Sequence, residues 1–197
     1  VRTCIWQDVD HDRCGVVPHL MDPDFGFARY AENVLTKPQI TAWRTGRVKA
    51  VGSKTAPELY AAHLSQREAA QILSNFFYDV RLKSRIELRA ADSMPPRYIA
   101  AYAQLVKSVF GSPAALQNVL RHYAGITTLD ITTAKLAVCK DGFNALAYGK
   151  PISSELTWLL MQARSRTPSQ EERALLDPFM ALVMKRKTIR ETENYNE

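Results

Sequence analysis

The sequence predicts an α+β fold, in which a strand-rich first part, residues 1–95, precedes a helical second part, residues 96–190. In several segments of the first part apolar residues stand at alternate positions, which is typical of strands. In the second part they recur every three or four positions, as on one face of a helix. Pro95 and Pro96 mark the boundary. We expect the two parts to pack together as one domain of a longer protein.

The first part begins with a predicted strand at residues 3–10, "TCIWQDVD". Residues 22–36 then favour a helix that a following proline ends. Residues 39–52 alternate around a glycine turn and predict a hairpin. Residues 55–77 predict one long helix with Thr55 as its N-terminal cap. A charged strand follows and completes the first part.

The second part is predicted to be helical throughout. Gly111 ends the first of its helices, and Ser112 is placed to cap the next. The polar tail from Thr188 is expected to fray. The predicted helices cover residues 97–111, 112–125, 132–149, 153–165 and 169–187.

Composition limits the class of protein. Apolar residues make up 46% and charged residues 23%, as in an ordinary globular protein. The net charge of +6 indicates anionic ligands, but no arginine-rich tract or zinc spacing predicts nucleic-acid binding. No run of about 18 apolar residues predicts a membrane span. Cys4, Cys14 and Cys139 match no metal site, so we expect small buried side chains in a reducing, cytoplasmic compartment.

The stretch "VRLKSRIELRAADSMPPRY", residues 80–98, predicts a strand with one charged face. At period two its apolar residues point one way and its charged residues the other. The charged side must face water, an acidic partner or an anionic ligand. Its members are Arg81, Lys83, Arg85, Glu87 and Arg89.

This charged face permits two interpretations. Side chains two positions apart on a strand lie about 6–7 Å from each other, so Arg85, Glu87 and Arg89 can converge on one ligand. The carboxylate would hold Mg²⁺ and the guanidinium groups would hold phosphate oxygens. Alternatively, the face is solvated, and its charges pair with those of neighbouring strands.

The segment "RIELRAADS", residues 85–93, resembles the Arg-x-Glu-x-Arg strand of the glutamine synthetase superfamily. Two longer segments are similar to one branch of it, the glutamate–cysteine ligases: "DVDHDRCGVVPHLMDPDFGFARYAENVL", residues 8–35, and residues 76–110 around the charged strand. The segment "KDGFNALAYGKPI", residues 140–152, also resembles this family.

The resemblance implies an antiparallel sheet that lines half of a funnel, as in glutamine synthetases and guanido kinases, with helices outside. It implies ATP-dependent ligation of glutamate to cysteine through an acyl phosphate, with ATP as substrate and Mg²⁺ as cofactor. Glu87 would bind the metal, and Arg85 the nucleotide phosphates. Arg89 would be catalytic, contacting the transferred phosphoryl group or glutamate. Arg2 and Trp6 would lie at the glutamate end of the site.

One departure from the family pattern concerns strands that precede this segment in family members and carry further metal ligands. We therefore expect the chain to be a C-terminal portion, inactive without the N-terminal half of the same enzyme. Two alternatives stay open: a sibling ligase with another amine acceptor, and a non-enzymatic module that docks an acidic partner on its basic strand face.

The turn "DVDHDRCG" is rich in carboxylates, and Asp8, Asp10 and Asp12 are candidate metal ligands. Aspartates are also common in turns for structural reasons, because their side chains bond to nearby backbone groups. Arg13 offers a third possibility, since it can pair with these carboxylates.

Overall fold

The computed structural model describes residues 2–60 and 63–193, apart from the side chains of Arg2 and Gln7. The chain divides into two compact units, Val1–Asp92 and Ser93–Glu197. Both contain helices and short strands, which is consistent with the predicted α+β class. In the described ranges no helix is long and apolar enough to cross a membrane.

In the first unit, helices and short strands alternate. The elements are α1 (Arg2–Val9), β1 (Cys14–Gly15), α2 (Phe27–Leu35), β2 (Thr41–Arg44), β3 (Arg47–Ala50), α3 (Ala56–Leu59), α4 (Gln66–Ser74), β4 (Phe77–Tyr78), β5 (Val80–Leu82) and β6 (Ile86–Leu88). Among the described residues the sheets of this unit are the parallel pair β1–β4 and the antiparallel hairpins β2–β3 and β5–β6, so the half-funnel sheet stays a prediction.

The first predicted strand is wrong, because residues 3–10 lie largely within helix α1. A strand needs a neighbouring strand to pair its backbone groups, whereas a helix pairs them within the segment. The helix also brings Trp6 face to face with Phe77, with the ring centroids 5.0 Å apart.

The predicted helix at residues 55–77 is two helices, α3 and α4. Each starts with its own capping box, in which a hydroxyl residue and a glutamate three positions later satisfy each other's backbone N–H groups. Thr55 pairs with Glu58 in the first box, and Ser65 with Glu68 in the second. The second capping box therefore starts a separate helix within the segment for which the sequence predicted a single helix.

The predicted hairpin at residues 39–52 is confirmed as β2–β3, with Thr41 opposite Ala50. Behind it, the buried Asn75 side chain donates to the Gln39 side chain at 2.9 Å and accepts from the Thr41 backbone at 3.1 Å. These hydrogen bonds satisfy buried polar groups and fix α4 against the hairpin. The adjoining apolar core consists of Val17, Tyr30, Val34, Ala56, Ile72, Phe76 and Tyr78.

The second unit is built mainly of helices around a core of Val109, Leu160, Ala163 and Leu176. Its elements are α5 (Pro96–Phe110), α6 (Pro113–His122), α7 (Thr128–Asp141), a 3₁₀ turn (Gly142–Asn144), β7 (Leu146–Ala147), β8 (Lys150–Pro151), α8 (Ile152–Ser165), α9 (Gln170–Ala174), α10 (Asp177–Lys185) and α11 (Ile189–Thr192).

Two predictions for this unit are wrong. The unit is not helical throughout, because β7 and β8 form a short hairpin around Gly149, whose φ of 76° suits glycine. The helix predicted at residues 169–187 is divided into α9 and α10, and Pro178 lies in the first turn of the latter. In the tail expected to fray, Thr188 caps the short helix α11 (Ile189–Thr192), and residues 194–197 lie outside the described residues, so the fraying stays a prediction.

A buried carboxylate ties the helices and the hairpin of this unit together. Glu155 is 6% exposed, and its Oε2 lies 2.8 Å from Nε2 of His122. Its Oε1 lies 3.4 Å from Nζ of Lys150. The His122 ring stacks on Trp158, with the centroids 3.5 Å apart. Burial alone would raise the pKa of Glu155, but the bonds from His122 and Lys150 outweigh it and lower that pKa.

We therefore predict that Glu155→Gln destabilises the complete gene product by about 1–3 kcal/mol, the usual cost of losing a buried hydrogen bond to a charged group. Because the folded-state pKa is lowered, the ion pair contributes fully above the ordinary carboxyl pKa. Its contribution is lost as the pH falls through the folded-state pKa. Urea unfolding at a series of pH values, followed by far-ultraviolet circular dichroism, measures both effects.

The matched control is Glu171→Gln, at an exposed position in the first turn of α9. It should change the free energy of unfolding by less than about 0.5 kcal/mol. If Glu155→Gln and this control unfold alike at pH 7, the buried pair contributes no stability.

Candidate functional site

The predicted charged strand is a hairpin rather than one continuous strand. Its two arms, β5 and β6, pair antiparallel with Arg81 opposite Glu87. Lys83 and Arg85 close the turn, where the Lys83 backbone N–H donates to the Arg85 carbonyl at 2.9 Å. The register therefore places oppositely charged residues directly across from each other on one face.

Arg81 and Glu87 form the centre of this face. Arg81 donates from Nε and Nη2 to the same oxygen of Glu87, Oε2, at 2.8 and 2.6 Å. Its Nη1 donates to the Phe76 carbonyl at 3.1 Å. These hydrogen bonds lower the pKa of the Glu87 carboxyl, so the carboxylate is ionised at neutral pH. The Glu87 side chain keeps 22% of its surface exposed.

Arg89 extends the cluster at the end of β6. Its Nη1 lies 3.7 Å from Oε2 of Glu87, and its guanidinium carbon lies 5.8 Å from the centroid of the Phe77 ring. Its backbone N–H donates to the Asp79 carbonyl at 2.7 Å, which continues the hairpin ladder past Leu88. The structure thus brings two of the predicted site residues, Glu87 and Arg89, together.

Trp6 reaches the same cluster from helix α1. Its ring stacks on one side of Phe77, with an interplanar angle of 14°, and Phe77 in turn contacts Arg89. The helix, not the predicted strand, makes this placement possible. Arg2, the other residue expected at the glutamate end, has a side chain outside the described ones.

Two further cations belong to the hairpin. Lys83 donates from Nζ to the Ser74 hydroxyl at 2.9 Å. Burial lowers the pKa of Lys83, and the charge of Arg81 adds to this effect. Arg85, the predicted phosphate ligand, is exposed in the turn, so it does not flank Glu87 along a strand as the period-two pattern indicated.

The charge of the cluster indicates what it can bind. Arg81 and Arg89 lie 2.6 and 3.7 Å from the Glu87 carboxylate, and the charge of Lys83 also lowers its pKa, so three cations lie around this carboxylate. Among the described residues, no group of three or more acidic, histidine or cysteine side chains could hold a metal ion. Guanidinium groups beside a carboxylate can donate to the oxygens of an anionic ligand such as a phosphate or a carboxylate.

The opposite face of the hairpin is apolar. The Leu82 backbone N–H donates to the Tyr30 hydroxyl at 3.1 Å and joins β5 to α2. Ile86 leaves 67% of its surface exposed. A cavity of about 240 Å³ lies here, lined by Val17, Leu20, Phe25, Gly26, Phe27, Tyr30, Val80, Leu82 and Ile86.

The Asp-rich turn has a structural explanation. Asp10 accepts from the backbone N–H groups of Asp12 and Arg13, each at 3.1 Å, and from Nε of Arg13 at 2.7 Å. Lys37 lies 3.3 Å from the Asp12 carboxylate. The expected pairing of Arg13 with these carboxylates is confirmed for Asp10. Asp8 is exposed on α1.

The cysteine prediction is confirmed at one position only. Cys14 is buried, and burial raises the pKa of its thiol, with Asp10 adding to the effect. Cys4 and Cys139 are exposed, so the expectation of buried side chains is wrong for both.

The sequence analysis missed Arg81 as the partner of Glu87 and Phe77 as the ring that joins Trp6 to Arg89. Pairing across the hairpin depends on the turn after Leu82, and the turn sequence, Lys83–Arg85, contains no glycine, proline or asparagine to reveal it. The signal available was charge alternation, because opposite charges tend to face each other across strands.

Comparison with known proteins agrees with the resemblance of residues 8–35, 76–110 and 140–152 to glutamate–cysteine ligases. The family model described as glutamate–cysteine ligase family 2 (GCS2) matches residues 1–180. The chain belongs to this glutamate–cysteine ligase family.

Curated relatives carry the same family name. Over 128 residues the chain is 30% identical to the chloroplastic glutamate–cysteine ligases of Brassica juncea and Arabidopsis thaliana. These matches cover 61% of this chain and 25% and 24% of the two relatives. The chloroplastic enzyme of Solanum lycopersicum is 28% identical over 127 residues, or 60% of this chain and 24% of the relative. The chain thus spans about a quarter of the length of these relatives.

The hydrogen bonds of Asp10 predict a structural role for this carboxylate. Asp10→Asn should lower the free energy of unfolding of the complete gene product by about 1–2 kcal/mol, because it weakens the charged bonds to Arg13. Its affinity for magnesium nucleotide should not change. Urea unfolding and calorimetric titration with Mg²⁺-ADP measure the two quantities.

Asp8→Asn, at an exposed position of α1, is the matched control and should change stability by less than about 0.5 kcal/mol. A loss of Mg²⁺-ADP affinity in Asp10→Asn, with stability unchanged, would contradict the structural role and place the turn in the metal site.

Proposed function

We propose that the complete gene product containing this chain is an ATP-dependent glutamate–cysteine ligase that catalyses the first step of glutathione synthesis. The γ-carboxylate of glutamate attacks the γ-phosphorus of ATP, so that ADP leaves and an acyl phosphate forms. The amine of cysteine then attacks the acyl carbon, loses a proton and displaces phosphate. Family membership supports the reaction, and the cluster of Arg81, Glu87 and Arg89 is the observation that carries its assignment to this hairpin.

The chemistry of the cluster suits phosphoryl transfer. Charge spreads over the oxygens of the transferred group, and fixed cations stabilise it. Arg89 is proposed to contact the transferred phosphoryl group or the glutamate. Arg85, exposed in the turn, is proposed to contact the nucleotide phosphates. Trp6 and Arg2 are proposed to lie at the glutamate end, and stacking on Phe77 supports this for Trp6.

Glu87 is proposed to hold Mg²⁺ through Oε1, because the hydrogen bonds from Arg81 both go to Oε2. Bound Mg²⁺ would neutralise phosphate charge and orient the nucleotide. Mg²⁺ takes few protein ligands when phosphates and waters complete its octahedron, so one carboxylate from this chain is compatible with such a site.

We further propose that the chain supplies one part of the active site and is inactive alone. It spans about a quarter of the relatives' length, and among its described residues no group of three or more possible ligands could hold a metal ion, so other metal ligands would come from the remainder of the protein. A sibling ligase with another amine acceptor fits the same cluster. The cytoplasmic location predicted from the sequence stays a prediction.

A test of the assignment is Glu87→Gln in the complete gene product. Turnover should fall by about 100-fold or more, because the amide carries no charge to hold Mg²⁺ beside the phosphates. Phosphate release with glutamate, cysteine and Mg²⁺-ATP measures the rate. The matched control is Glu32→Gln, whose ion pair with Arg29 lies on the surface of α2. Equal rates in Glu87→Gln and wild type would remove Glu87 from the site.

The non-enzymatic alternative rests on the positive charge of the same face, which would also dock an acidic partner. A thermal-shift measurement on the complete gene product separates the two functions. A ligase should be stabilised by several degrees by Mg²⁺-ATP with glutamate. No shift with nucleotide, together with association to an acidic peptide that weakens as salt rises, would contradict the ligase and support the docking module.

A further inference from the structure

We propose that Arg81 is a positioning residue, which fixes the carboxylate of Glu87 so that only one of its oxygens is offered to the metal–nucleotide complex. This inference rests on the proposed function of Glu87 as a metal ligand. Arg81 was not expected in the site, because the strand pattern placed it among four similar cations.

The geometry singles out Arg81 among the cations of the hairpin. Its side chain is 10% exposed, and all three of its guanidinium nitrogens donate hydrogen bonds. Nη1 is held by the Phe76 carbonyl, which belongs to the backbone of the core, while Nε and Nη2 hold Glu87. The guanidinium is therefore anchored on one side and orients the carboxylate on the other.

The pattern of bonds decides which oxygen is presented. Both donors of Arg81 converge on Oε2 of Glu87, so Oε1 lies outside the ion pair. A carboxylate held by one oxygen presents the other as a single, directed ligand, which suits the strict octahedral geometry of Mg²⁺. Partners that hold a ligating carboxylate in this way tune metal affinity by about 10–100-fold.

Arg89 does not take over this role. Its Nη1 is 3.7 Å from Oε2, beyond hydrogen-bond distance. A lysine at position 81 cannot do so either, because one ammonium group cannot reproduce the planar fork that spans Glu87 and the Phe76 carbonyl. Arg81→Lys therefore keeps the charge and removes the orientation.

The experiment is a double-mutant cycle in the complete gene product, with Arg81→Lys, Glu87→Gln and the double variant. Mn²⁺ binding in the presence of ADP, measured by electron paramagnetic resonance, provides a readout that does not depend on turnover. Arg81→Lys should weaken Mn²⁺ binding about 10-fold in the wild-type background and have no effect in the Glu87→Gln background. The KM for Mg²⁺-ATP should rise with the loss of Mn²⁺ affinity.

Arg47→Lys, at an exposed position of β3, is the matched control and should bind Mn²⁺ like the wild type. Wild-type Mn²⁺ binding by Arg81→Lys, or the same loss in both backgrounds, would overturn the proposal. Arg81→Gln is measured together with Arg81→Lys. The proposal is judged on the variant that keeps the near-ultraviolet circular dichroism spectrum of the wild type. If neither variant folds, Arg81 has a structural role only, and the positioning role is rejected.

The cycle also separates this inference from the function on which it rests. If Glu87→Gln itself binds Mn²⁺ with ADP as tightly as the wild type, the proposed metal role of Glu87 fails, whatever Arg81 does. If Glu87→Gln loses Mn²⁺ binding and Arg81→Lys retains it, only the positioning role fails.

Discussion

The ion pair between Arg81 and Glu87 is the constraint on which the rest of the candidate site depends. A guanidinium buried to this degree must be paired, because a buried charge without a partner is strongly destabilising. The register of β5 and β6 places Glu87 directly opposite, and the Phe76 carbonyl accepts a hydrogen bond from Nη1 of Arg81. Once this pair is set, Arg89 lies beside the same carboxylate oxygen and above Phe77.

The charged face was interpreted either as a ligand site or as a solvated face whose charges pair across strands, and the Arg81–Glu87 pair bears on both interpretations. The solvated-face interpretation is correct that Glu87 pairs across strands, as it does with Arg81. The three cations around Glu87 and the carboxylate oxygen outside the pair support the proposed phosphate-bearing ligand, which would meet the positive charge and bring its own oxygens to a metal. Membership of the glutamate–cysteine ligase family favours that ligand.

The sequence predicted those parts of the structure that depend on residues close together in the chain, and it failed where contacts between distant segments decide the conformation. The hairpin at residues 39–52 and the helices of the second unit follow local periodicity and caps, and were largely predicted. Helix α1 was missed because its segment has the composition of a strand. Whether such a segment forms a strand or a helix depends on whether another strand is available to pair with it. The turn at residues 83–85 was missed because Ser84 lies between two charged residues and no glycine, proline or asparagine marks the turn.

Within the candidate site, alternation of charges identified Glu87 and Arg89 correctly as neighbours. It could not assign partners, because Arg81, Lys83 and Arg85 are equivalent in a period-two pattern. Only the fold distinguishes them: Arg81 is buried against Glu87, Lys83 bonds to Ser74, and Arg85 is exposed in the turn. Trp6 is associated with the site through Phe77, a contact between distant segments that no local pattern encodes.

The most direct test of the account is an experimental structure of the complete gene product with Mg²⁺ and a non-hydrolysable ATP analogue. The account predicts a metal ion about 2.1 Å from Oε1 of Glu87, with Oε2 still bound by Arg81 and a phosphate oxygen in the metal's coordination shell. A metal–nucleotide complex bound elsewhere, with the Glu87 carboxylate engaged only by arginines, would contradict it.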